Sequence, residues 1–239
     1  MPAPAHFSIQ PAGHCRGNAE LSSIEIRACR AITSSANIVR SRSDTENAVG
    51  LKLNLGCGRN PVPGWVNVDI AANPGVDVVA DLDACRTKPL PFADNSVAQM
   101  RMEHVLEHIR DTLALMQELH RIAEPGALLA IRSPYGSSDD ADEDPTHCQH
   151  FFMNSFAYFS QPMYWRADYG YRGDWAAEDI TLLMRKQDNE GLPIEAVMRK
   201  VAQLRNVVVE MVAVLKAVKP IRAADRALLP DPVVNVKLI

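Results

Sequence analysis

The run Leu51-Lys-Leu-Asn-Leu-Gly-Cys-Gly58, followed by Val66-Asn-Val-Asp69, constrains this chain more than any other feature. Leu51, Leu53 and Leu55 supply the apolar residues of a buried strand that stops at Gly56. Gly56 and Gly58 have no Cβ, so the backbone there can turn sharply and let a ligand lie against it. Asp69 ends the next strand, where a carboxylate can accept hydrogen bonds from both hydroxyls of a ribose. Strand, glycine turn, short crossover and acid-tipped strand together specify a nucleoside-binding edge on an α/β sheet.

The same residues narrow the nucleoside. A dinucleotide fingerprint needs a third glycine opening a helix whose N-terminus receives a pyrophosphate. Here Gly58 is followed by Arg59-Asn-Pro-Val-Pro-Gly64, and the two prolines leave no room for a regular helix. A ligand with a ribose and no phosphate fits better, and S-adenosylmethionine is the common one. A nicotinamide oxidoreductase is therefore the weakest of the alternatives.

Further motifs follow in order: Asp81-Leu-Asp83, Leu90-Pro-Phe-Ala-Asp-Asn-Ser96, His104-Val-Leu-Glu-His-Ile109 and Arg121-Ile-Ala-Glu-Pro-Gly126. With the first two, they make residues 50–160 resemble the class I S-adenosylmethionine-dependent methyltransferases. The resemblance is to the subgroup whose first motif reads L-N-L-G-C-G and leads through a Pro-Gly linker into W-V-N-V-D. It implies a Rossmann-like, seven-stranded, mostly parallel sheet with S-adenosyl-L-methionine as cofactor. It also implies donor contacts from Leu55, Gly56, Cys57, Gly58, Asp69, Ile70, Asp81, Leu82, Glu103 and His104. Asp69 would hold the ribose, the glycines would pass under the methionine half, and Asp81 and Leu82 would flank the adenine. Phe92 is either a second adenine wall or a core aromatic under the sheet.

Element by element, strands are expected at 51–55, 66–69, 76–80, 97–102 and 127–132, and a helix at 112–123 capped by Asp111. The connection 56–65 should be a loop where most relatives carry a first helix. A sixth strand falls near 180–184. Residues 233–239 read as the seventh, which the resemblance would insert antiparallel beside the fifth. Ile194, Val197, Val201, Leu204, Val208, Met211, Leu215 and Val218 alternate spacings of three and four, which predicts one long helix before that last strand. A helix packed over its own sheet is the favoured reading, and a homodimer through the 194–218 seam is its alternative.

Methyl transfer needs alignment more than a fixed set of catalytic groups, although a hydroxyl acceptor also needs a base. His147 is the first candidate for that base or for holding the acceptor, because histidine titrates near neutral pH, with His150 and His104 next. His147 lies in a D-P-T-H segment that the resembling subgroup places over the cleft. The acidic run Asp139-Asp-Ala-Asp-Glu-Asp144 reads as a solvated loop. His147 and His150 could ligate a metal, but spacing places no further ligand, so no metal is expected. Glu107 and His108 read as packing and capping residues.

Composition excludes several classes. A net charge of -4 gives no basic face for nucleic acid, and no apolar run reaches membrane-span length. Five cysteines without a C-x-x-C pair fit a reducing cytoplasm. Residues 1–49, rich in Ala, Ser and Arg, read as a poorly ordered leader, and 50–239 as the methyltransferase domain. The expected function is methylation of a small molecule such as a sugar, lipid or secondary metabolite. The alternatives are a catalytically silent module working by dimerisation, and transfer of another group from a related adenosyl donor.

Overall fold

The computed structural model describes residues 50–229 and 231–239, so the expected leader at 1–49 lies outside the described residues. Eight strands form one sheet in the order β3-β2-β1-β4-β5-β7-β6-β8. β1 (Leu51–Leu55), β2 (Val66–Asp69), β3 (Val78–Val79), β4 (Val97–Glu103) and β5 (Ala123–Pro134) run parallel. β6 (Trp175–Met184) and β7 (Glu210–Ala217) pair antiparallel, and β7 is also antiparallel to β5. β8 (Val233–Leu238) lies parallel to β6 at the sheet edge.

The connection from β1 to β2 contains no helix, as the prolines predict. Side chains from the two strands organise it instead. Asn54 Nδ2 donates to Asn67 Oδ1 at 2.9 Å, and Asn67 Oδ1 also accepts from the backbone N–H of Val62 at 2.7 Å. Asp77 Oδ2 accepts from Asn67 N at 2.8 Å, so these buried asparagines tie β1, β2 and the linker together. Each finds partners that offset its burial.

α1 (Thr112–Ile122) starts where expected: Asp111 accepts from Ala114 N and so satisfies one of the free N-terminal donors. Leu115, Met116, Leu119 and Ile122 are fully buried against the sheet. Glu118 Oε1 accepts from Leu90 N at 2.7 Å, and Arg121 Nη1 donates to Phe92 O at 3.0 Å, which clips the Pro-rich loop to this helix. Phe92 packs against the core from there, the second of its two readings. Two short helices, α2 (Asp140–Glu143) and α3 (Lys186–Asn189), precede α4 (Ile194–Gln203).

The region after residue 194 corrects two expectations. α4 stops at Gln203, Leu204 is extended, and Asn206 takes a positive φ of 59°, after which the chain runs as β7. The seam of apolar residues at spacings of three and four thus spans a helix, a turn and a strand. From Met211 onward a competing period of two wins, with Met211, Ala213, Leu215 and Ala217 buried and alternate residues less so. Val207, Val208, Val209, Val212 and Val214 are β-branched, which favours the pleated strand over the helix. The continuous 194–218 helix that a dimer seam would need does not exist, and β7 is covered on both edges by β5 and β6. The seventh strand is therefore Glu210–Ala217, beside the fifth, and Val233–Leu238 is an eighth strand.

Candidate active site

In an open α/β sheet the ligand crevice lies beyond the carboxyl ends of the strands, where the strand order reverses. Here that point lies between β1 and β4. A cleft of about 640 Å³ opens there, lined by Gly56, Asp69, Ile70, the Ala80–Asp83 turn, the His104–Val105 and His108–Arg110 segments, and Pro145–Cys148.

One wall suits an adenosyl ligand. Asp69 is buried at the tip of β2 and accepts from Gly58 N at 2.7 Å through Oδ2 and from Ala71 N at 2.9 Å through Oδ1. Each oxygen keeps a lone pair for a ribose hydroxyl. Gly56 has φ +64°, and a Cβ there would lie 2.4 Å from Val105 Cγ2, so only glycine allows this turn beside β4. A Cβ on Gly58 would meet nothing within 4 Å, which leaves open space at the glycine edge. Asp81 Oδ1 caps a short 3-10 turn by accepting from Asp83 N, and Leu82 is buried. Asp83 Oδ1 accepts from Arg110 N at 2.9 Å and Asp111 N at 3.0 Å, joining the Asp81–Asp83 turn to the segment after β4.

The opposite wall is built from histidines. His104 directly follows β4 with φ 53°, a left-handed backbone that costs a residue with a side chain about 1–3 kcal/mol. Its N–H donates to Arg132 O at 2.9 Å. Its ring lies between two carboxylates, Glu107 Oε1 at 3.3 Å from Nδ1 and Glu210 Oε1 at 3.1 Å from Nε2. Hydrogen bonding to Glu107 and then Glu210 raises the His104 pKa to about 9, so at neutral pH it is an imidazolium. Glu210 accepts in turn from Arg132 Nε at 2.8 Å. Burial alone would raise the Glu210 carboxyl, but His104 and Arg132 hold it below its usual range. Carrying that proton at neutral pH, His104 is poorly suited to act as a general base. It remains a cationic group facing the cleft.

The sign of its pH dependence is fixed. A histidine raised from 6.5 to about 9 contributes stability that is fully present below pH 6.5 and is lost as pH rises through 9. Two-dimensional NMR of chelator-treated protein should show the His104 ring titrating near pH 9, and Glu210→Gln should bring the midpoint down. A wild-type midpoint near 6.5 would contradict the clamped geometry.

His147 also lines the cleft, with Nδ1 3.2 Å from Ala141 O and its ring edge-on to His108 at 4.7 Å. The loop carrying it hangs from one peptide: Cys148 N and Gln149 N donate to Glu107 O at 2.8 and 3.2 Å. His150 is not with them. Its Nε2 pairs with Asp142 Oδ1 at 2.9 Å on the exposed acidic segment, away from the cleft lining. That segment is docked as well as solvated, since Arg205 bridges Asp139 and Asp142.

Of the expected donor contacts, Gly56, Asp69, Ile70, Asp81, Leu82 and His104 line the cleft. Leu55 and Cys57 are buried beneath it, Gly58 donates to Asp69 at the glycine edge, and Glu103 pairs with Arg101 beside the strand. His108 also lines the cleft, contrary to its reading as a packing residue. A 3-10 turn (Leu106–His108) brings its ring against His147 of the 145–148 loop.

Residues 60–131 match the family model described as a methyltransferase domain. No curated protein matches the sequence. Among solved structures, one is a SAM-dependent methyltransferase from Archaeoglobus fulgidus, at 14% identity and TM-score 0.49, covering 70% of this chain and 86% of that one. Another is a possible histamine N-methyltransferase from Thermotoga maritima, at 14% identity and TM-score 0.46, with coverages of 72% and 84%. A third is an S-adenosylmethionine-dependent methyltransferase from Mesorhizobium loti, at 13% identity and TM-score 0.42, with coverages of 70% and 90%.

Residues 60–131 thus carry a methyltransferase domain, and the strand order with β7 reversed and the Gly56–Asp69 edge suit S-adenosylmethionine as its donor. The donor supplies an activated methyl on a sulfonium. Asp69 would hold its sugar, and His104 and Arg110 line the opposite wall.

Proposed function

We propose that this enzyme methylates a small molecule seated between the His104–Arg110 wall and the Pro145–Cys148 loop. One observation carries the reading: the donor edge and the histidine wall share a single cleft of about 640 Å³, within the ~300–1,000 Å³ of small-ligand sites. A cleft of that size takes a donor and a compact acceptor. The net charge of -4 argues against a nucleic-acid acceptor, and among the described residues no helix is long and apolar enough to cross a membrane. Sugars, lipid headgroups and secondary metabolites all remain within the class. The cysteine pattern favours a cytoplasmic setting.

Intact Gly56, Gly58 and Asp69 disfavour a silent module, because loss of catalysis releases the constraint on a donor site. The test is a methyl-release screen with radiolabelled donor over sugars, phenols, amines and carboxylates. Turnover in one of these classes is expected. Turnover confined to protein or RNA acceptors, screened alongside them, would overturn the reading.

A further inference from the structure

We propose that Glu107, His108 and His147 form a three-ligand site for a divalent transition-metal ion, with its open position facing the cleft. One oxygen or nitrogen from each lies within 4.8 Å of the others. Two imidazoles and one carboxylate are the donor set of catalytic zinc sites, which leave the fourth position to water or substrate. On loading, the three ligand atoms would draw together to reach bonds of ~2.0–2.2 Å.

Two independent observations point to a cation there. The first is Glu107. Its side chain is 2% exposed, and apart from the His104 ring neither oxygen has a hydrogen-bond partner among the described residues. The nearest positive group, His104 Nδ1, stands 3.3 Å from Oε1 and is shared with Glu210, and Oε2 is left with nothing. A buried carboxylate in that condition costs several kcal/mol, and a metal ion removes the deficit.

The second is how the two rings are oriented. Thr146 Oγ1 donates its single hydrogen to Asp144 Oδ1 at 2.7 Å, so its contact with His108 Nδ1 at 3.0 Å must be donated by the ring. His147 Nδ1 faces the carbonyl of Ala141 at 3.2 Å, which can only accept. With Nδ1 engaged as a donor in each ring, Nε2 is the nitrogen left to bind an ion. Asp144 Oδ2 lies 3.9 Å from His147 Nε2, at the rim of the same site. A carbonyl or hydroxyl-carboxylate pair behind each ring is the arrangement that orients metal-bound histidines.

Spacing along the sequence offered only His147 and His150 and no third ligand, so no metal was expected there. The fold replaces His150 with the adjacent pair Glu107-His108, because the loop carrying His147 is hung from the Glu107 carbonyl.

The ion's role rests on the methyl-transfer reading, but its binding does not. A hydroxyl acceptor would ligate the ion through oxygen and release its proton to solvent water. The oxygen would then attack the methyl carbon as the C–S bond of the sulfonium breaks, and the neutral thioether leaves.

The test is chelator-treated full-length protein titrated with zinc chloride and, separately, cobalt chloride. It is read by elemental analysis after desalting and by cobalt visible absorption. One ion per chain is expected. His147→Ala and Glu107→Gln should each lose it, with at least a hundredfold weaker binding. Thr146→Val should weaken it ~10–100-fold, and His150→Ala should leave it unchanged. Thermal melts establish that each variant is folded. No stoichiometric ion in wild type, or equal binding in folded His147→Ala, overturns the proposal. S-adenosylhomocysteine titrated into the same samples separates the two claims: donor binding without metal binding sinks only the metal site.

Discussion

Asp69→Ala should weaken S-adenosylhomocysteine binding by roughly 10- to 150-fold, the equivalent of a charge-assisted hydrogen bond of ~1.5–3 kcal/mol. The effect has two sources. The substitution removes both acceptors available to the ribose, and it strips Gly58 N and Ala71 N of their partners at 2.7 and 2.9 Å, loosening the turn on which the ligand rests. Asp69→Asn, which keeps one acceptor oxygen and the side-chain volume, should fall between. Titration calorimetry at constant salt measures all three proteins. An Asp69→Ala protein with unchanged affinity and an intact melt would remove this carboxylate from the donor site.

The largest loss of stability should come far from the cleft, at Arg222. Asp174 is fully buried where the chain enters β6. It accepts from Arg222 Nε and Nη2 at 2.9 and 2.7 Å, from Arg222 N at 2.9 Å and from Gln161 N at 3.1 Å. Burial by itself would raise the Asp174 carboxyl, yet the Arg222 bonds hold it below its usual value. Arg222→Met leaves that charge in the core with only backbone and hydroxyl donors. Breaking a buried pair on one side costs about 3–5 kcal/mol, or roughly 6–20 °C in melting temperature for a domain of this size.

The pH response separates this cause from simple loss of packing. In wild type the depressed Asp174 pKa contributes stability that is present above pH ~4 and lost as pH falls through the folded value. In Arg222→Met the unpaired carboxyl prefers its proton, so the deficit relative to wild type should shrink between pH 7 and pH 5. Urea melts at both pH values measure it, and a deficit that stays constant would assign the loss to packing.

What the sequence made legible was what local chemistry decides. The glycine turn, the acid tip of β2, the helix-free linker and the Asp111 cap each follow from one or two residues whose conformational needs are stringent. The 194–218 region was not legible, because valine-rich segments satisfy a helical period and a strand period at once. Burial between β5 and β6 decides between them, and that is a long-range fact. The same misreading hid Glu210, the first residue of β7 and half of the clamp on His104. His108 was obscured by proximity of another kind, since its neighbours Thr146 and His147 arrive from nearly forty residues away.

The central claim is that the Gly56–Asp69 edge holds an adenosyl ligand. Crystals grown with S-adenosylhomocysteine address it most directly. Density should place both ribose hydroxyls on the Asp69 carboxylate and the thioether over the Gly56 turn, pointing toward His104 and His147. An empty cleft at saturating ligand, or a ligand bound anywhere else, would contradict the account.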